Sequence, residues 1–304
     1  MTTALLGALE SGLIYALMAL GVYITFRILD FPDLTVDGSF TTGGAIAAVM
    51  ITSGTSPWIA TLSALAGGMV AGALTGIIHT KGKINGLLSG ILMMIALYSI
   101  NMRIMGKPNV SLLGEPTAFG SISPLILMPF IVILIKLALD WFFHTDLGLA
   151  LRATGDNQRM IRSLGMHTDY TLILGLSLSN GLVALSGALI AQQTGFSDIS
   201  SGIGMIVIGL ASVIIGEAII GARSVFIATL AVIVGSIVYR VVVALALRVD
   251  WLEPTDLKLI TAVIVVVALV VPTANRSWKQ KALARKRTQE MADMTSARQT
   301  GGGF

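Results

Sequence analysis

Apolar residues run through this sequence in nine blocks of spanning or near-spanning length, 3–27, 38–52, 57–79, 84–105, 123–143, 169–193, 203–222, 224–247 and 256–274. A hydrocarbon layer about 30 Å thick takes roughly 20 helical residues, so the pattern predicts an all-α polytopic membrane protein with about nine transmembrane helices. The block at 38–52 is short and follows Asp30-Phe-Pro-Asp-Leu-Thr-Val-Asp-Gly38. A proline, a glycine and three aspartates beside an apolar run predict a broken or re-entrant helix, a form tolerated only where protein or a water-filled cavity surrounds the backbone. No basic residues precede the first block and no small-residue cleavage site follows it, so it reads as a retained span.

Composition agrees: 55% of residues are hydrophobic, 12% are charged and mean hydropathy is +0.86. The absence of cysteine removes disulfides, thiolate metal sites and Cys nucleophiles, and says nothing about compartment. Charge is uneven. The segment 276–304 holds seven basic residues against Glu290 and Asp293, which marks it as a basic cytoplasmic tail able to touch anionic membrane lipid. Trp278 is its only aromatic before Phe304, so nucleic-acid binding is not expected. With the tail inside, nine spans put the first residues outside. The inner loops then carry Lys81, Lys83, Arg223 and an arginine-rich island, as the positive-inside bias requires.

A faint internal repeat organises the chain. Phe31-Pro-Asp-Leu-Thr35 resembles Phe196-Ser-Asp-Ile-Ser200, and Ile59-Ala-Thr-Leu62 recurs at Ile227-Ala-Thr-Leu230, offsets of 165 and 168 residues. Halves at about 4–105 and 169–274 would flank a linker span at 123–143 within a membrane domain 1–275. A displacement of five spans reverses direction, which predicts an inverted-topology repeat with the pathway between halves.

Three groups of residues carry candidate chemistry. The island Arg152–Met166 predicts a short helix over 156–165, with Asp156 after Gly155 as N-cap and Gly165 as C-cap. Met160, Ile161 and Leu164 fall on one face, with Arg159, Arg162 and Asn157 around it. So short a helix is marginal alone, which points to a soluble partner docking there; an ordinary polar loop fits the spacing equally. The matched segments supply Phe31, Asp33, Thr35, Asp37 and Ser39, and Phe196, Asp198 and Ser200, as candidates to line or gate a solute path. They fit equally as turns at the membrane edge with Asp33 and Asp198 as helix caps. Third come ionisable residues within spans: Glu10 and Arg240 at depths where they would pair, Glu217 near Arg223, and Arg27, Lys136 and Asp140, read as snorkelling to an interface. Glycines spaced as Gly68-xxx-Gly72-xxx-Gly76 predict close helix packing. No phosphate-binding glycine loop, zinc motif or paired acid and base is present, so no catalytic or metal residue is expected, and any ATP must be bound by another subunit.

The island and its flanks, from Thr145-Asp-Leu-Gly-Leu-Ala-Leu-Arg-Ala-Thr-Gly-Asp-Asn-Gln-Arg through Leu164-Gly-Met166, followed by Ser177, Ser179, Asn180, Gly181 and Ala184-Leu-Ser-Gly-Ala188, resemble permease subunits of the branched-chain amino acid and ribose class of bacterial ABC importers. Asp33-Leu-Thr-Val-Asp-Gly-Ser39 most resembles their tryptophan/tyrosine-type members. The resemblance covers residues from about 5 to 275. It implies a homodimer of permeases in a bacterial inner membrane, two cytoplasmic ATPases carrying ATP and Mg, and an extracytoplasmic binding protein that delivers an amino acid. It also implies that the island, including Arg152, is the coupling helix on which the ATPases dock. Outside the resemblance, an ATPase-independent facilitator and a membrane scaffold stay open.

Overall fold

The computed structural model describes residues 2–120, 123–163, 165, 167–246 and the isolated positions 259, 262, 263 and 266. Among these, the helices in chain order are α1 (Thr2–Tyr23), extended by a π-helical turn at Ile24–Ile28, α2 (Thr35–Thr52), α3 (Pro57–Thr80), α4 (Gly86–Met105), α5 (Pro124–Phe143), α6 (Asp146–Asp156), α7 (Gln158–Ser163), α8 (Thr168–Thr194), α9 (Met205–Ile220) and α10 (Val225–Ala246). Strands β1 (Asn109–Ser111) and β2 (Phe196–Asp198) pair antiparallel, with Val110 opposite Ser197.

Among the described residues, six helical segments are long and apolar enough to cross a membrane: Leu5–Ile28, α3, α4, α5, α8 and α10. The predicted nine spans are therefore not all matched by that measure. Helix α9 is apolar but has 16 residues. Helix α2 reaches back to Thr35, three residues before the predicted block, and its hydroxyls and glycines make it too polar to count. Its polarity is tolerable because Thr35, Ser39, Thr41 and Thr42 are all buried in protein rather than lipid. The predicted block 256–274 and the tail 276–304 lie outside the described residues, apart from the isolated positions.

Helix α8 is the central post. Gly68 and Gly72 of α3 bring the α3 backbone so close that a Cβ on either would collide with the carbonyls of Asn180 and Leu176, and one on Gly76 would sit 2.9 Å from Ile173. Small residues at one-turn spacing thus let α3 and α8 pack closely, as the sequence predicts. Helix α1 runs antiparallel to α8, and its carbonyls at Gly21 and Ile14 accept hydrogen bonds from Ser179 (2.7 Å) and Ser186 (2.9 Å). Helix α10 packs on α1, with Ser236 donating to the Gly12 carbonyl at 2.8 Å. Helix α2 runs beside α8, a Cβ on Gly43 colliding with Ala184 and one on Gly187 with Phe40.

Helix α5 presents Ile126, Phe130, Ile133, Leu134, Leu137 and Trp141 outward and buries Met128, Val132, Leu139 and Phe143. Lys136 and Asp140 belong to the buried side, which corrects the reading of both as snorkelling. They form an ion pair with each other. Thr229 of α10 donates to the free Asp140 oxygen at 2.8 Å, and the ammonium lies 3.5 Å from the Phe226 ring centroid. A buried pair needs such extra partners to offset its desolvation.

Candidate functional site

The first matched segment leads to the middle of α8, and the stretch that follows the second meets it about one turn along α2. The chain leaves the π-helical turn, passes Asp30 in the left-handed region (φ 51) and turns back into the bundle at Pro32-Asp33. Asp33 is fully buried. One carboxylate oxygen accepts from the Thr35 amide at 2.9 Å, opening α2, and the other accepts from Asn180 Nδ2 at 2.7 Å. Asn180 Oδ1 in turn accepts from Ser39 at 2.7 Å, and Thr35 bonds Thr75 of α3 at 2.8 Å. This polar hub ties α2, α3 and α8 together in the middle of the 27-residue α8. Phe31 is buried edge-on against His79, centroids 5.1 Å apart.

From the other direction, the segment after α8 forms β2 and then dips inward to start α9. Helix α9 lacks a cap of its own: its first residue follows Gly204 with no side-chain bond. The donors of its first turn are met by Asp37 of α2, whose two oxygens accept from the Gly204 and Ile206 amides, each at 2.8 Å. Thr41 of α2 accepts from the Gly202 amide at 3.1 Å. The orphan donors and partial positive charge of a helix N-terminus explain why a carboxylate sits there. Two short helices therefore begin at one mid-bundle locus, α2 entering from the island end and α9 from the opposite end.

The remaining predicted path residues are less central. Asp198 is half-buried and closes a local turn, accepting from the Ser200 amide at 2.8 Å and from the Ser200 hydroxyl. Those bonds hold its carboxyl below the usual carboxylate range. Phe196 and Ser200 are exposed. Sequence reasoning did not assign Asn180, Thr75, Tyr98, Ser99 or Asn101 to the site. A lone amide in an apolar run is the one signal that would have found Asn180 and Asn101, since a buried amide demands partners.

The island differs from its predicted form. No single helix runs over 156–165. Asp156 ends α6 rather than capping a new helix, and Gly155 is packed so closely on the Ile28 carbonyl that a Cβ would collide with it. The break falls at Asn157, whose side chain accepts from the Met160 amide at 3.0 Å and so caps α7. The physical reason is that Thr145 caps α6 eleven residues earlier, accepting from Gly148 N, so Asp156 is already in helix when the chain reaches it. Arg152 is half-buried on α6; Arg159, Met160 and Arg162 are exposed and Ile161 is half-exposed. Arg162 reaches Thr168 at 2.8 Å and Asp169 at 3.4 Å. Gly165 takes φ 84, and Leu164 lies outside the described residues. Beside α7 a cavity of about 920 Å³ is lined by His79, Lys83, Asn85, Gln158, Arg162 and His167.

Two predicted charge relations are replaced. Glu10 and Arg240 do not pair: Arg240 lies over the Tyr15 ring, 3.5 Å from its centroid, while Glu10 meets Gln193 at 3.5 Å. Glu217 pairs with Arg27 at 2.9 Å, joining the end of α1 to α9.

Comparison with known proteins adds four findings. Residues 4–270 match the family described as branched-chain amino acid transport system / permease component. A tyrosine transport system permease protein of Clostridioides difficile (strain R20291) is 48% identical over 279 residues, 91% of this chain and 94% of that protein. A ribose import permease of Escherichia coli (strain K12) is 28% identical over 66% of the chain and 64% of its own length. A metal-chelate type ABC transporter solved in an inward-facing conformation has the same fold at a TM-score of 0.50, with 18% identity over 90% of this chain and 85% of that one.

Proposed function

Because the chain belongs to the permease family of branched-chain amino acid transport systems, we propose that it is the membrane-spanning subunit of an ABC importer that moves an amino acid, with an aromatic one the first to test. The observation that carries this reading is the 48% identity to a tyrosine transport system permease across 91% of the chain. In this reading the chain forms a homodimer in a bacterial inner membrane and binds no cofactor itself. Two ATPases hold ATP and Mg on the cytoplasmic side, and an extracytoplasmic protein delivers the solute.

An inverted repeat belongs to the same reading. Shifting the numbering by 168 turns the Gly68–Asn180 contact of α3 with α8 into the Ser236–Gly12 contact of α10 with α1. Helices α1 and α8, the first of each half, run antiparallel. Two broken segments entering from opposite ends and meeting midway is the arrangement expected where a solute site lies between inverted halves.

Exposed Met160 and half-exposed Ile161, on a six-residue helix with no buried residue, support ATPase docking at α7. Such a helix is stabilised from outside or not at all. The test is to purify the chain with its neighbouring ATPase and binding protein and reconstitute the complex in proteoliposomes. ATP hydrolysis stimulated by tyrosine-loaded binding protein, with uptake of labelled tyrosine, is expected. Uptake that proceeds without the ATPase would overturn the reading in favour of a facilitator. Single cysteines are clean markers in this cysteine-free chain: one at Thr2 should react with an impermeant reagent in intact cells and one at Thr288 should not.

A further inference from the structure

Beside the meeting point of α2 and α9 lies a cavity of about 330 Å³, closed on one side by Asp37, Gly38 and Thr41 of α2, on another by Met94, Ile95, Tyr98, Ser99 and Asn101 of α4, and roofed by Ile199 and Ile203. Its volume is at the lower end of the range that holds small ligands. Its walls are mostly apolar; of the polar groups on them, Asp37 and Asn101 offer acceptors, while Thr41, Tyr98 and Ser99 carry hydroxyls. Asp37 is an acceptor. Asn101 is 1% exposed and donates one amide hydrogen to the Gly38 carbonyl at 3.3 Å, while its Oδ1 is buried without a partner. Among the described residues no lysine, arginine or histidine lines the cavity.

Helix α4 gives a second, independent indication. Tyr98 and Ser99 lie exposed near the middle of this span, and neither hydroxyl makes a hydrogen bond among the described residues. Polar groups facing hydrocarbon at that depth are disfavoured, so this stretch of α4 faces something other than lipid. The lone Asn101 acceptor is also costly for a buried group, and its cost is recovered when a donor arrives.

We propose that this cavity is a mid-membrane holding site for the transported solute, taking an aromatic-sized apolar side chain against Ile95, Tyr98, Ile199 and Ile203 and a primary amine against Asp37 and Asn101. The carboxylate of Asp37 and the unpartnered oxygen of Asn101, with no basic residue beside them among the described lining, favour a hydrogen-bond-donating amine over a carboxylate. An apolar wall of isoleucines and a tyrosine selects a bulky side chain over a sugar, whose hydroxyls would be left without partners. The inference rests on the importer reading above and names the chemistry of its path.

The test uses the full complex with its ATPase and binding protein, in which a cysteine replaces Ile95 or, as a control on the same helix outside the cavity, Leu92. During turnover, free L-tyrosine should slow alkylation of Ile95→Cys by N-ethylmaleimide at least threefold. 3-(4-Hydroxyphenyl)propionate, which lacks the amine, should leave it unchanged at equal concentration, and Leu92→Cys should respond to neither. In parallel, Ile95→Trp should cut tyrosine uptake about tenfold while Leu92→Trp stays within twofold, and Asn101→Leu, in a complex that still assembles, should abolish the protection. Equal protection by both compounds, protection by neither, or normal uptake by Ile95→Trp would overturn the site. If the unaltered complex takes up no amino acid at all, it is the importer reading that fails, whatever the labelling shows.

Discussion

Asp33 and Asp198 occupy matched motifs and make the same local bond, accepting from the backbone amide two residues on, at 2.9 Å and 2.8 Å. Their surroundings differ completely. Asp33 is fully buried and gives its second oxygen to Asn180 of a helix 147 residues away, while Asp198 is partly exposed and turns only to Ser200. Short-range sequence sets the turn, because an aspartate side chain mimics a backbone acceptor in either place. What the turn is worth depends on the partners the fold brings to it.

The comparison is broken if the two aspartates prove equal. Asp33→Ala leaves the Thr35 amide and one N–H of Asn180 without partners inside the bundle, the other Asn180 bond, to the Leu176 carbonyl, remaining. Each unsatisfied buried group costs about 1–3 kcal/mol, so a loss of about 3 kcal/mol or more is expected, seen as a large drop in the thermal midpoint of the detergent-solubilised protein. Asp37→Ala removes the borrowed cap of α9 and should cost about 1 kcal/mol, with Asp37→Asn recovering part of it. Loss of uptake in Asp37→Asn at an unchanged midpoint would sharpen the picture by separating the charge from the cap. Asn157→Ala should cost about 1 kcal/mol at α7, with little change in the midpoint of the free chain and a measurable weakening of ATPase co-purification. Asp198→Ala should fall within about 0.5 kcal/mol of wild type, as is usual for exposed substitutions.

The smallest effect is a pH dependence. The carboxyl of Asp198 is held below its ordinary 3.8 by Ser200, so its contribution is fully present above that value and is lost as pH falls through the lowered one. The midpoint difference between wild type and Asp198→Asn should therefore be constant from about pH 5 to 8 and shrink only below about pH 4.

Much of this was legible in the sequence, and the reasons it was or was not are physical. Apolar block length found the long helices. The residues around the island carried the family resemblance, which the match over 4–270 bears out. Glycines at 68, 72 and 76 foretold the close packing of α3 on α8, because backbone approach depends on the absence of a side chain. The break in the island was misplaced by one residue, since Asp156 and Asn157 are both good caps and only the preceding cap at Thr145 decides between them. Lys136 and Asp140 were misread because a four-residue spacing on an apolar helix is compatible with either face, and the hydroxyl of Thr229 that favours burial lies 89 residues on. The cavity at Asp37 and Asn101 joins three separate stretches of chain and left no local pattern to read.

The borrowed cap also has a consequence for how the chain is made. Asp33, Thr41 and Asp37 find their partners 147, 161, 167 and 169 residues downstream. While the first four helices are emerging into the membrane, none of those donors has yet been synthesised. The nascent first half therefore carries Asp37 without its donors and Asp33 with only the Thr35 amide, and both find their remaining partners only when α8 and the start of α9 arrive. Assembly order is thereby written into the fold: the amino-terminal half completes its own interior last.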